Sequence, residues 1–169
     1  MSTNRTHTSA EHFPLVPRMI ATSFGVGYLP KAPGTWGALL AVVLWLPLYL
    51  WCSDAATVFY VTFAAAVIYC VAGTWASSVA ERYWGKDPVV ACADETVGMW
   101  ISLLPLGTVA TTPWWEILLA FVLFRLFDIY KPLGIRAMER LPRGYGMMAD
   151  DILAGIYSIF VLLAVNSFI

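Results

Sequence analysis

Five carboxylates stand beside apolar runs in this chain: Asp94 and Glu95, Asp128, and the pair Asp150 and Asp151. Ionisable groups against hydrocarbon are costly to place and are therefore paired, hydrated or functional. Gathered on one face, they would repel one another unless a cation shared them. An all-oxygen donor set suits a hard ion such as Mg2+. Helix capping offers a plainer account, because Asp at a helix start satisfies orphan N–H groups and complements the dipole. That account suits Asp94 or Asp150 taken alone. It fails for Asp128, which falls at the end of an apolar segment, where a negative charge opposes the dipole. Taken jointly, the acids favour a metal held by Asp94, Glu95, Asp150 and Asp151.

Cations in the same neighbourhood suggest an anionic substrate. In FRLFDIYKP, Arg125, Asp128 and Lys131 recur every third residue, and Pro132 should end the helix after them. Arg125 and Asp128 can pair on one helical face, and Lys131 is either a phosphate ligand or a snorkelling anchor. Upstream, the glycine-rich neck GVGYLPKAPGTWG offers close backbone approach at Gly34, the Thr35 hydroxyl, Lys31 and the N–H groups of a helix start. It is neither a Walker A loop nor a GxGxxG turn. A packed turn opening a membrane helix would read the same way. Carboxylates holding a metal beside cations holding phosphate amount to phosphoryl-transfer machinery, which needs positioning and charge neutralisation more than a special nucleophile. His7 and His12 both lie in the polar stretch 1–12, with no third ligand nearby.

The elements that position these groups are membrane helices. The 169 residues are 60% apolar and 12% charged, with eight Trp, eight Tyr and nine Phe, against ~45–50% apolar and ~25% charged in soluble domains. Charge-free runs predict an all-α bundle of four to five spans: Ala38 to Trp51, Ala55 to Ala80, Val97 to Thr112, Ile117 to Phe127 and Ile152 to Ile169. Pro105, Gly107 and Pro113 leave open a single bent or re-entrant unit for the third and fourth, and Trp114 and Trp115 read as an interfacial turn. In a five-span arrangement every Lys and Arg falls on one side, which the positive-inside rule makes cytoplasmic, with the C-terminus outside. We expect a polar tail over residues 1–12 and one membrane-embedded domain over 13–169. No cleavable signal peptide is apparent.

Other classes are set aside by what is missing. A net charge of −1 gives no basic excess for nucleic acid. Cys52, Cys70 and Cys92 are odd in number and far apart, so they make no disulfide framework or CxxC pair. A histidine-dependent lipid phosphatase would need a histidine outside the tail. A small transporter or cation-binding protein remains the alternative, although it would place its acids at mid-membrane depth. Gly73 and Ser77 form a small-xxx-small face that could pack within the chain or in an oligomer.

Four blocks, GVGYLPKAPGTWGA, DETVGMWISLLPL, FVLFRLFDIYKP and MMADDILAGIYS, resemble the phosphatidylglycerophosphatase A family in order and spacing, from about Phe24 to Ser158. The resemblance implies a Mg2+-dependent enzyme of the bacterial inner membrane that removes the terminal phosphate of phosphatidylglycerophosphate, leaving phosphatidylglycerol. It implies site roles for Asp87, Asp94, Glu95, Arg125, Asp128, Lys131, Asp150 and Asp151, and for Pro33, Gly34 and Thr35. The chain departs from the family's pattern after Lys131, at Pro132-Leu133-Gly134-Ile135, and at Ala38, where the family commonly has Ser. Neither departure touches a carboxylate.

Overall fold

A computed structural model describes residues 13–108 and 113–168. Seven α-helices occur among them: α1 Leu15–Ala21, α2 Pro33–Trp51, α3 Ala55–Trp84, α4 Ala93–Leu103, α5 Trp114–Tyr130, α6 Ile135–Met138 and α7 Gly144–Asn166. Short 3-10 turns cover Val26–Tyr28 and Leu104–Thr108, and there is no strand among the described residues. The expected tail with His7 and His12, and the turn around residues 109–112, lie outside the described residues.

Three helices, α2, α3 and α7, are long and apolar enough to cross a membrane. In the most apolar window of α3 only 17% of residues are buried inside the protein, and Ile68 and Val71 face outward. Such a surface suits lipid tails. The third and fourth expected segments are shorter, because α4 has 11 residues and α5 has 17. At 1.5 Å per residue these reach roughly 17 and 26 Å, below the ~30 Å hydrocarbon core. Pro105 and Gly107 explain the first, since the chain tightens into the 3-10 turn there.

Several boundaries correct the sequence reading. Helix α2 begins at Pro33 rather than Ala38, with proline at its first position, where no N–H is needed. Trp114 and Trp115 form the first turn of α5 rather than a separate turn. Most consequential, α7 begins at Gly144 rather than Ile152, so Asp150 and Asp151 sit inside the helix instead of opening it. Met147, Met148 and Ala149 are strong helix formers, and the two charges are tolerated because they turn inward rather than toward lipid. Capping therefore cannot explain them.

Small residues let the helices close around the acids. An added Cβ at Gly98 of α4 would stand 2.7 Å from the Asp151 carbonyl oxygen of α7, and one at Gly155 would stand 2.6 Å from the Gly98 carbonyl oxygen. Helices α4 and α7 thus touch backbone to backbone. Gly73 and Ser77 turn inward, since a Cβ at Gly73 would meet Met148 and one at Gly144 would meet Thr74, Ser77 and Ser78. The small-residue face is filled within the chain. Phe124, Met99, Leu103 and Leu106 fill the main core, and indole N–H groups tie helices together where water is scarce: Trp100 donates to the Ala41 carbonyl and Trp45 to the Thr62 hydroxyl, each at 3.0 Å.

Candidate active site

The starts of α2, α4 and α7 meet the end of α5 at one end of the bundle, around a cavity of about 230 Å³. Two helix N-termini there, those of α2 and α4, favour negative charge. Gly34, Asp87, Asp94, Glu95, Arg125, Asp128, Lys131, Asp150 and Asp151 all line the cavity. Lys31 and Thr35 do not. Lys31 is exposed, at a φ of 77°, and Thr35 is half-buried in the first turn of α2.

Asp94, Glu95 and Asp151 come closest together. One carboxylate oxygen from each lies within 4.8 Å of the others. Asp94 Oδ1, Glu95 Oε2 and Asp151 Oδ2 are buried without a hydrogen-bond partner. Unpaired buried anions are costly, and a group of such oxygens is the donor set a hard divalent cation takes. The three residues could therefore hold a metal ion, and their orphaned oxygens fit one.

Asp150, the fourth expected ligand, is engaged elsewhere. Its Oδ2 accepts a hydrogen bond from Lys131 Nζ, and its Oδ1 accepts one from the Asp151 N–H at 3.1 Å. Lys131 also donates to Glu139 Oε1 at 2.9 Å. Burial alone would lower the Lys131 pKa, but the bonds to Asp150 and Glu139 outweigh it and hold the pKa above its ordinary value. The same ammonium, through its hydrogen bond, holds Glu139 below the usual carboxylate range. Lys131 adopts φ 48° at the end of α5, in the left-handed region that non-glycine residues seldom enter. That turn is what aims the side chain back across the cavity mouth.

Arg125 Nη1 lies 2.6 Å from Asp128 Oδ2, the i, i+3 ion pair that the spacing predicts. The contact is close but lacks hydrogen-bond geometry, so Arg125 Nη1 and Nε remain without hydrogen-bond partners. Gly34 stands against this pair: a Cβ there would be 2.0 Å from Glu95 Oε1 and 3.0 Å from Arg125 Nη1. The glycine makes room for a carboxylate and a guanidinium that approach the start of α2. Cys92, just ahead of α4, is buried, and burial pushes its thiol pKa far up, which leaves an inert packing group.

Sequence reasoning gave no role to Glu139, Met147 or Ala32. Met147 and Ala32 line the cavity; Glu139 reaches Lys131 across the turn at Pro132 to Gly134. No spacing rule signals a partner eight residues away through an irregular turn.

Residues 19–166 match the family model described as Phosphatidylglycerophosphatase A. The chain belongs to the phosphatidylglycerophosphatase A family. It is thus a phosphatase, and the transporter alternative falls. A relative from Bacteroides thetaiotaomicron, provisionally named a phosphatidylinositol-3-phosphatase, is 47% identical over 151 residues, covering 89% of this chain and 92% of the relative. The proteins named Phosphatidylglycerophosphatase A from Haemophilus influenzae and Escherichia coli are 36% and 32% identical, covering 88% and 85% of this chain and 87% and 80% of theirs. No solved structure matches the chain.

Proposed function

We propose that this phosphatase removes the terminal phosphate of phosphatidylglycerophosphate to give phosphatidylglycerol and inorganic phosphate, with Mg2+ held by Asp94, Glu95 and Asp151. The observation that carries the reading is the trio of buried, partnerless carboxylate oxygens facing Arg125 across one cavity. A divalent cation bound there supplies charge neutralisation and Lewis-acid polarisation of the phosphoryl group. Arg125, whose Nε and Nη1 make no hydrogen bond, would grip phosphoryl oxygens, and its ion pair with Asp128 fixes its orientation. The N–H groups in the first turn of α2, beside Gly34, add donors that need no reorganisation. Lys131 holds Asp150 and Glu139 and contributes positive charge at the mouth. A dianionic phosphomonoester offers this array more charge and three free oxygens, whereas a diester offers less of both.

The Bacteroides relative's name supports a second reading, in which the same groups act on a phosphorylated inositol headgroup. Both substrates are phosphomonoesters carried on a lipid phosphodiester. We further place the enzyme in the bacterial inner membrane, with the cavity toward the cytoplasm and the C-terminus outside. The hydrogen bond from Asn166 to Glu116 supports only that the cavity and the C-terminus lie at opposite ends, because it sets the end of α7 against the start of α5, away from Asp151.

Phosphate release from both lipids in mixed micelles, with Mg2+ titrated against a chelator, tests the reading. Preferential, Mg2+-dependent release from phosphatidylglycerophosphate is expected. Release that persists under chelation, or a preference for the phosphoinositide, overturns the corresponding part. A reporter fused after Ile169 that signals a cytoplasmic C-terminus would refute the orientation.

A further inference from the structure

A second cavity, of about 600 Å³, lies outside the acidic site, between α3 and α7. Its α3 wall includes Val71, Trp75 and Val79, and its α7 wall includes Tyr145, Met148 and Ile152. Two hydroxyls on the same wall are turned away from it chemically. Thr74 donates to the Cys70 carbonyl, and Ser78 donates to the Thr74 carbonyl while accepting the Gly144 N–H. The groove therefore presents hydrocarbon along two helices that are themselves long and apolar enough to span a membrane. Its only charged lining residues are Arg82, in the last turn of α3, and Arg143, at the head of α7. Both are exposed, and neither makes an ion pair among the described residues. An apolar slot that ends in two unpaired guanidinium groups matches the outline of a phospholipid, an acyl chain leading to a phosphate.

The groove and the acidic cavity are both bordered by a third cleft. This cleft, of about 220 Å³, shares Arg143 with the groove, and shares Asp87, Met147 and Asp150 with the acidic cavity. Lys86 and Arg143 line that cleft together with Glu81, Asp87, Glu139 and Asp150.

We infer that the lipid substrate enters sideways between α3 and α7, with an acyl chain in the groove, its phosphodiester between Arg82 and Arg143, and its terminal phosphate in the acidic cavity. This rests on the substrate reading above. It also explains how the two candidate lipids could share one enzyme, since the arginines read the phosphodiester that both carry. The two phosphates of the substrate are thus held by different groups: Arg82 and Arg143 bind, and Arg125 with the carboxylates reacts.

Two measurements test it. In the kinetic one, Arg82→Gln/Arg143→Gln should raise KM for phosphatidylglycerophosphate on the order of tenfold or more while kcat stays near wild type. Ala149→Trp, which narrows the groove and keeps both arginines, should raise KM likewise. An unchanged KM in both variants, or a loss confined to kcat, overturns the assignment. The binding measurement needs no turnover. Trp75 lines the groove, so phosphatidylglycerol with brominated acyl chains should quench its fluorescence more than brominated diacylglycerol, which lacks the phosphodiester. Trp75→Phe isolates that component, and the double arginine variant should abolish the difference. Equal quenching by the two lipids in the wild type refutes the groove. If the wild type releases no phosphate from phosphatidylglycerophosphate yet shows selective quenching, the substrate reading fails and the lipid groove stands.

Discussion

Gly34→Ala adds one methyl group at the point where α2 meets the acidic site. The new Cβ would lie 2.0 Å from Glu95 Oε1, 2.8 Å from Glu95 Cδ and 3.0 Å from Arg125 Nη1, whereas ordinary contacts begin at 3.4 Å. The carboxylate must therefore retreat by more than about 1 Å, a misplacement that commonly costs on the order of 10²-fold in rate. That loss corresponds to about 2.7 kcal/mol of transition-state stabilisation. Stability should fall by about 0–3 kcal/mol, so it has to be read separately from activity. Overpacking costs ~1–3 kcal/mol, and replacing glycine by alanine in a helix returns up to ~1 kcal/mol. Initial rates of phosphate release from phosphatidylglycerophosphate micelles across a Mg2+ series, with thermal unfolding in the same detergent, separate the two effects. We expect a low rate together with a higher Mg2+ concentration for half-maximal activity, because Glu95 is the group displaced. A rate within about twofold of wild type at all Mg2+ concentrations would refute the placement of Glu95 against Gly34 and its assignment as a ligand.

Asp151→Asn should abolish Mg2+-dependent turnover yet raise the melting temperature of metal-free protein, because it removes one of three crowded buried charges; Mg2+ should then stabilise wild type but not the variant, and identical responses would remove Asp151 from the metal site. Lys131→Met strands the Asp150 carboxylate, whose side chain is 4% exposed, and should destabilise by about 3 kcal/mol, while Lys131→Met/Asp150→Asn recovers most of that in denaturant titrations. No recovery would show that Lys131 stabilises by packing alone. Glu139 has a folded pKa below its ordinary 4.5, so its contribution is present above the unfolded value and fades as pH falls through the folded one. Lys131 has a folded pKa above its ordinary 10.5, so its contribution is full below that value and fades as pH rises through the folded one. Melting temperatures should accordingly show a slightly shallower acid decline in Glu139→Gln, small because the Glu139 side chain is 40% exposed. An identical acid limb in variant and wild type would detach Glu139 from Lys131.

Composition and charge spacing were enough to place this chain in lipid, to find α2, α3 and α7, and to pick out the acids and Arg125 as one group. Those features are local: an apolar run reads as a span because hydrocarbon excludes charge, and a charge kept beside such a run must have a reason to stay. The i, i+3 pairing of Arg125 with Asp128 is equally local, since one helix fixes it. Tertiary structure decided how the acids divide. Asp150 and Asp151 are neighbours in sequence, but successive residues on a helix point about 100° apart. Helix α7 extends past both and packs against α4 through Gly98 and Gly155, so Asp151 joins Asp94 and Glu95 while Asp150 meets Lys131. Lys31, prominent in sequence beside the glycines, is exposed and does not line the cavity, although the next residue, Ala32, does. Gly34 was legible as a place of close approach, but only the packing of α2 on α4 and α5 shows that what approaches it is the carboxylate of Glu95 and the guanidinium of Arg125. Such partners come from elements distant in the chain, and the packing that joins them depends on the shapes of whole helices, which no single stretch of sequence contains.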